Sequence, residues 1–187
     1  MDTLTRHGRA LTRFGELVQS VGAGHWHAPT PCTEWDVRQL VNHLVVEQLW
    51  VPPIVAGRTV AEIGDAFQGD QLGADPVAAW DKAAAASGAA FAEPGALQRT
   101  VHLSYGDRPA EGYCAEMTAD LLVHSWDLAR SIGADDALDP LLVDFVYEQL
   151  APHAAALAQS GLFAPSLTVA EDADRQTRLL ALTGRRA

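Results

Sequence analysis

Three side chains have the types and the spacing of a metal site. Asp120 and His124 lie four residues apart in a strongly apolar run, and in an α-helix this spacing places both on one face, about one turn apart. His43 stands in a second apolar run and is expected to face the interior or the mouth of a helical bundle. Two neutral imidazoles and one carboxylate leave about one to three coordination positions open, which favours a catalytic zinc, iron or nickel site over a closed structural one.

Simpler interpretations of the same residues stay open. A single helical histidine is more often a hydrogen-bonded packing residue than a ligand, and an aspartate with a histidine at i+4 is commonly a surface pair. Glu47 lies four residues after His43 and adds a second carboxylate. It is a ligand, a general base or a polar residue at the edge of the bundle, and we favour a place just outside the ligands.

The other reactive residue types carry weaker signals. His25 and His27 flank a tryptophan in a proline-containing loop, and no third ligand is evident beside them. Cys32 and Cys114 form no CxxC motif and have no basic neighbour that would lower a thiol pKa, so we interpret them as buried, reduced thiols. Isolated histidines are interpreted as structural: His7, His102 and His153. The sequence contains no GxGxxG, P-loop or GxSxG motif, which argues against nucleotide binding and serine-hydrolase chemistry.

Apolar residues recur at three- and four-residue intervals and predict the helices that would position these side chains. The predicted helices run over 3–21, over 76–91, 109–133 and 140–157, with a last helical piece at 175–184. Another predicted helix begins at Glu34 and either stops at the Pro52–Pro53 pair or resumes weakly to Gly57 after a kink there. Thr33 is the predicted cap of the second helix, and Pro152 is a predicted kink in the fifth. One helical turn is predicted near 59–63, and an extended segment over 99–105 with a turn at Gly106–Asp107.

Composition sets the class of protein and its partners. The chain has 187 residues, 48% of them hydrophobic and 20% charged, which predicts one folded domain over 1–187. Its formal net charge of −11 repels nucleic acid and anionic membrane surfaces. Neither a signal peptide nor a membrane-spanning apolar run is evident. We therefore expect a cytoplasmic protein that binds neither nucleic acid nor membrane, and exposed helix faces are compatible with a homodimer.

Two segments identify a family resemblance. The run Trp35–Leu44 is similar to the W-x-V-x-x-L-x-x-H-L helix of the mycothiol-dependent maleylpyruvate isomerases, which are part of the DinB-like metal-binding superfamily. The run Asp120–Arg130 resembles their second signature, a carboxylate and a histidine four residues apart followed by Trp-Asp-Leu-Ala. The tail 174–185 is similar to the closing segment of short, single-domain members.

This resemblance implies an all-α, DinB-like four-helix bundle with additional short helices and loop segments. It also implies a divalent ion, usually zinc, with nickel or iron as alternatives, held by His43, Asp120 and His124. The isomerases carry glutamate at the position of Asp120, and aspartate is shorter by one methylene. They also have a separate C-terminal domain that supplies an arginine, for which 187 residues leave no room, so we do not expect maleylpyruvate isomerisation itself.

Two functions remain after this step. In the first, the ion stabilises the thiolate of a low-molecular-weight thiol such as mycothiol for attack on an electrophilic small molecule, as in a thiol transferase or an isomerase. Glu47 would move protons, and Trp35, Trp50 and Trp126 would form the walls of the site, although bundle core is the simpler interpretation of Trp126. In the second, the same ligands hold an ion in a non-catalytic metal-binding or sensing bundle.

Overall fold

A computed structural model describes residues 1–160 and 163–187. The helices are α1 (Thr3–Gln19), α2 (Val37–Val55), α3 (Val60–Ile63), α4 (Pro76–Ala92), α5 (Ala110–Ile132), α6 (Pro140–Leu150), α7 (Ala154–Ser160) and α8 (Arg175–Leu182), and the strands are β1 (Thr100–Leu103) and β2 (Gly106–Pro109). Among the described residues, no helix combines the length and apolar character needed to cross a membrane. Backbone contacts divide the chain into two compact units, 1–135 and 136–187. A single domain over 1–187 stays a prediction.

The first unit is a four-helix bundle, as the family resemblance implied. Helix α1 packs against α4 and α5, and α2 packs against the same two helices. Each helix contributes one apolar face to the shared core, which is how an amphipathic helix is stabilised in a bundle. Large side chains buried there include Phe14 and Leu17 from α1, Leu40 and Leu44 from α2, Trp80 and Phe91 from α4, and Leu121 and Leu128 from α5.

Helix α5 is the best-predicted element. Pro109 precedes its first turn in an extended conformation, and Gly133 ends it in the left-handed conformation, with φ 70°, which a residue without a Cβ adopts most easily. Most of the residues between Tyr113 and Ala129 are buried. The backbone that carries Asp120 and His124 is therefore held by the bundle core.

Helix α2 begins later than predicted, and of its two predicted ends the structure has the one beyond the prolines. It begins at Val37 rather than at Glu34, and Asp36 rather than Thr33 is its cap. The Asp36 carboxylate accepts from the Gln39 N–H, and the Gln39 side chain accepts from the Asp36 N–H, which is a complete capping box.

Two prolines do not end α2. The helix runs through Pro52 and Pro53 to Val55, although each proline removes one hydrogen-bond donor. Val51 and Ile54 around them are buried, so packing of the last turn against the core outweighs the lost hydrogen bonds.

A short hairpin connects α4 to α5. Strands β1 and β2 pair antiparallel, with Thr100 opposite Pro109 and Leu103 opposite Gly106. The predicted extended segment is confirmed, but its turn lies earlier than predicted, because Gly106 and Asp107 already belong to β2. Gly106 has φ +125°, a value that glycine tolerates at the start of the returning strand.

The second unit contains α6, α7 and α8, and α6 packs against α8. The predicted helix over 140–157 begins as expected, with Asp139 as cap and Pro140 in the first turn. It is interrupted at Ala151–His153 by a 3₁₀ turn that contains Pro152, since proline cannot donate the α-helical hydrogen bond. Helix α8 confirms the predicted last helical piece.

Candidate metal centre

Two imidazoles and one carboxylate meet between α2 and α5. His43 from α2 and Asp120 and His124 from α5 each offer one ligand atom, and these atoms lie within 4.8 Å of one another. The His43 Nε2 atom is 3.2 Å from Asp120 Oδ2, and the His124 Nε2 atom is 3.4 Å from Asp120 Oδ1. The structure thus brings together the three residues that the sequence indicated as ligands.

The unsatisfied oxygen of Asp120 shows that this cluster fits a cation. Asp120 Oδ2 is buried and makes no hydrogen bond, even though a nitrogen of His43 is near it, and a buried polar atom without a partner is unfavourable. Zinc ligands about 2.0–2.1 Å from a tetrahedral ion are about 3.4 Å apart, and the three candidate ligand atoms lie within 4.8 Å of one another. Two nitrogens and one oxygen suit a divalent transition ion. The residues therefore fit the ion that the resemblance implies.

Asp127 fixes the orientation of His124. The Asp127 side chain is fully buried, and its Oδ2 lies 2.9 Å from His124 Nδ1. A carboxylate that accepts the outer N–H of a histidine leaves the other nitrogen free to bind a metal, and this arrangement is common at metal sites. Sequence reasoning missed Asp127. The available signal was an acidic residue three positions after the candidate ligand His124 on a largely apolar helix.

The carboxylates strongly bias the protonation of this cluster. Burial opposes protonation of His124, but Asp120 and Asp127 outweigh it and raise the pKa of the imidazole to about 9. Burial also opposes ionisation of Asp120, but the imidazoles of His124 and His43 outweigh it and hold its pKa well below the usual range. Without a metal the centre is therefore an ion pair at neutral pH, and metal binding must displace a proton from His124.

Trp35 covers one side of the two imidazoles. Its ring centroid lies 4.6 Å from that of His43 and 5.7 Å from that of His124. The loop that carries it is braced, because the Trp35 N–H donates to Cys32 O at 2.9 Å and the Thr30 hydroxyl donates to Trp35 O at 2.8 Å. Trp35 therefore stands where the sequence predicted a wall of the site.

Glu47 lies beside the ligands rather than among them. It follows His43 by one turn of α2, is partly buried and does not belong to the group of ligand atoms found in the described chain. Burial and, next, the charge of Asp120 raise the pKa of its carboxyl. A raised pKa suits a group that exchanges protons near neutral pH.

The remaining candidates have other surroundings. Trp126 is 2% exposed, in agreement with its interpretation as bundle core, and Trp50 packs against Phe67 with ring centroids 5.7 Å apart. His27 pairs with the capping residue Asp36 at 2.9 Å. Burial raises the pKa of the Cys114 thiol to about 12, so it is not a nucleophile at neutral pH.

Comparison of this chain with known proteins identifies its family. Residues 7–129 match the mycothiol maleylpyruvate isomerase N-terminal domain. Two uncharacterized proteins from two strains of Mycobacterium tuberculosis are each 37% identical over 143 residues, which is 76% of this chain and 74% of theirs. No solved structure matches. The chain belongs to the family of the mycothiol maleylpyruvate isomerase N-terminal domain.

Proposed function

We propose that the protein binds a divalent metal ion, zinc before nickel or iron, through His43, Asp120 and His124, and that it activates a low-molecular-weight thiol for transfer or isomerisation. The observation that carries the proposal is the buried Asp120 oxygen without a hydrogen bond, beside the imidazole nitrogens. Mycothiol is the thiol favoured, because the matching family is described as the mycothiol maleylpyruvate isomerase N-terminal domain.

A divalent ion at this position would lower the pKa of a thiol bound to it and so supply a nucleophilic sulfur at neutral pH. The chain supplies the rest of the chemistry. Glu47 is the candidate acceptor of the proton that leaves the thiol, because its raised pKa and its place one turn from His43 suit a general base. Asp127 keeps His124 Nε2 directed toward Asp120.

The exposure of the three ligands indicates the direction from which a substrate approaches. The side chains of His43 and Asp120 are 25% and 23% exposed, whereas that of His124 is 6% exposed. Trp35 occupies one side of the imidazoles. The open side is therefore the one with His43 and Asp120, where Glu47 also influences the electrostatics.

Thiol transfer to a general electrophile tests this proposal. Zinc-loaded wild-type protein and His124→Ala are given mycothiol and chlorodinitrobenzene, and thiol consumption is followed. We expect His124→Ala to fall to the uncatalysed rate. His102→Ala, which removes a histidine paired with Asp107 on the hairpin, should match the wild type. Equal rates for the wild type and His124→Ala would overturn the catalytic proposal and leave a non-catalytic metal-binding bundle.

A spectroscopic measurement tests the open coordination position separately. Cobalt-loaded protein should change its visible absorption when mycothiol is added, because a catalytic site accepts an outside ligand. An unchanged spectrum at saturating thiol would contradict activation of the thiol at the metal. His43→Ala serves as the matched variant, since it removes a ligand atom from α2 without altering α5.

A further inference from the structure

The hairpin before α5 carries a cation, Arg108, that contacts the helix of the candidate metal centre. Strand β2 continues directly into α5, and the Ala110 N–H donates to the Arg99 carbonyl at 2.8 Å. The hairpin is therefore attached to the helix that carries Asp120 and His124. Arg108 is the cation of β2, and its side chain turns back to contact Glu116 of α5.

Glu116 and Tyr105 hold the Arg108 guanidinium in place. Arg108 Nη1 donates to one carboxylate oxygen of Glu116, and the Tyr105 hydroxyl donates to the other at 2.6 Å. The guanidinium carbon also lies 4.7 Å from the centre of the Tyr105 ring. A guanidinium held between a carboxylate and an aromatic ring loses little further conformational entropy when it binds a ligand.

Most N–H donors of the Arg108 guanidinium have no hydrogen-bond acceptor among the described residues. A guanidinium has five N–H donors, and within the described part of the chain Glu116 is its one hydrogen-bond acceptor. The Nε atom is buried and has no partner, which is unfavourable unless a ligand completes it. The side chain as a whole is 35% exposed, so its remaining donors are accessible to a small molecule.

Arg108 contacts Glu116, which shares a face of α5 with Asp120 and His124. Glu116 precedes Asp120 by four residues on α5, which is about 6 Å along the helix axis. The residue that holds Arg108 therefore lies about one helical turn from Asp120 on α5.

We propose that Arg108 is a specificity-determining residue that binds a carboxylate of the electrophile on which the activated thiol acts. This inference rests on the proposed function. The planar fork of a guanidinium matches a carboxylate with two parallel hydrogen bonds. In a chain of net charge −11, an anionic substrate needs such a local cation to be held beside the carboxylates of Asp120 and Glu47.

Bifunctional thiols of increasing length test the position of this cation. Zinc-loaded protein is titrated by calorimetry with ω-mercaptocarboxylic acids and with the corresponding amides. At one chain length the acid should bind about 10-fold or more tightly than its amide, because only the acid offers a charge-assisted pair to Arg108. In Arg108→Gln this preference should disappear while amide affinity stays within about twofold, and Arg108→Lys should retain part of it.

A matched variant and the pattern of outcomes separate the two proposals. Arg99→Gln removes the same charge and another arginine–glutamate pair, the 2.9 Å contact with Glu93, and should keep the preference for acids. If acids and amides bind alike in the wild type, or if Arg108→Gln keeps the preference or loses zinc, the assignment of Arg108 is overturned and thiol binding stands. If no thiol binds the zinc-loaded protein, the proposed function fails, and this inference fails with it.

Discussion

The bundle buries two histidines whose surroundings shift the pKa of the imidazole in opposite directions. His124 lies between Asp120 and Asp127, and its pKa rises to about 9. His7 lies on α1 with its ring 5.1 Å from that of Phe91. Burial lowers its pKa to about 4, and Gln48 beside it offsets this only in part. Neighbouring carboxylates, rather than burial, therefore distinguish the candidate metal centre from an ordinary packed imidazole.

The surroundings of His7 are polar but uncharged. Ser87 donates to Gln48 Oε1 at 2.7 Å, and the Nε2 atoms of His7 and Gln48 are buried without hydrogen-bond partners. This cluster carries no carboxylate that would compensate a cation. We therefore expect mutations near His124 to change metal affinity and mutations at His7 to change stability.

Replacing Asp120 should have the largest effect, because it removes a candidate ligand and one of the two carboxylates that distinguish the surroundings of His124 from those of His7. Asp120→Asn keeps the shape of the side chain but removes its charge, and an amide is a poor zinc ligand. We expect zinc affinity to fall by about 1000-fold, more than the 10–100-fold typical of an outer partner. Competition with a chromophoric chelator measures this. An affinity within about tenfold of the wild type would exclude Asp120 as a ligand.

Replacing His7 should affect stability in acid and leave the metal in place. Because the folded-state pKa is below the value of 6.5 for a free histidine, the unfolded chain binds more protons between these values and stability falls as the pH falls. His7→Leu should reduce this loss by about 3 kcal/mol at most. Urea unfolding between about pH 6.5 and pH 4 measures it. The same pH dependence in both proteins would show that His7 is not responsible.

The raised pKa of His124 predicts how metal affinity depends on pH. Below about pH 9 the metal-free centre carries a proton on His124, and a ligand histidine must be neutral. Zinc affinity should therefore rise about 10-fold per pH unit between about pH 6 and pH 8, with release of a proton that buffers of different ionisation enthalpy detect. An affinity that does not change over this range would contradict the ion pair.

Replacing Asp127 should have the smallest of the four predicted effects. Asp127→Asn keeps a buried acceptor beside His124 Nδ1 but removes the charge. We expect zinc affinity to fall by about 10–100-fold, with the fold unchanged in circular dichroism. Asp107→Asn is the control, since Asp107 pairs with His102 on the exposed hairpin. A loss as large as that of Asp120→Asn would mean that Asp127 itself contacts the ion.

Local patterns predicted the elements that local chemistry controls. The apolar stripe of α5 and the glycine at its end predicted that helix to within a residue, and the i, i+4 spacing predicted that Asp120 and His124 share a face. The predicted start of α2 was wrong, because Thr33 and Asp36 are both good N-cap residues. The bridge between Pro29 and Asp36 is a contact between segments, and it favours Asp36 as the cap.

The parts that sequence could not predict depend on burial or on contacts between elements. From the sequence, Asp127 is expected to be a surface aspartate, whereas in the folded bundle its side chain is completely buried. Arg108 in β2 and Glu116 in α5 are eight residues apart. Neither the periodicity of a strand nor that of a helix predicts that residues on the two sides of this boundary are in contact. The sequence left two ends open for α2, and tertiary packing selects the one beyond its two prolines.

The most direct test of the account is elemental analysis of untagged protein purified without added metal. The account predicts about one divalent ion per chain in the wild type and in His7→Leu, and loss of that ion in His43→Ala and in His124→Ala. A wild-type protein that holds no metal, even after it is reloaded with zinc, nickel or iron, would contradict the metal centre and every function proposed from it.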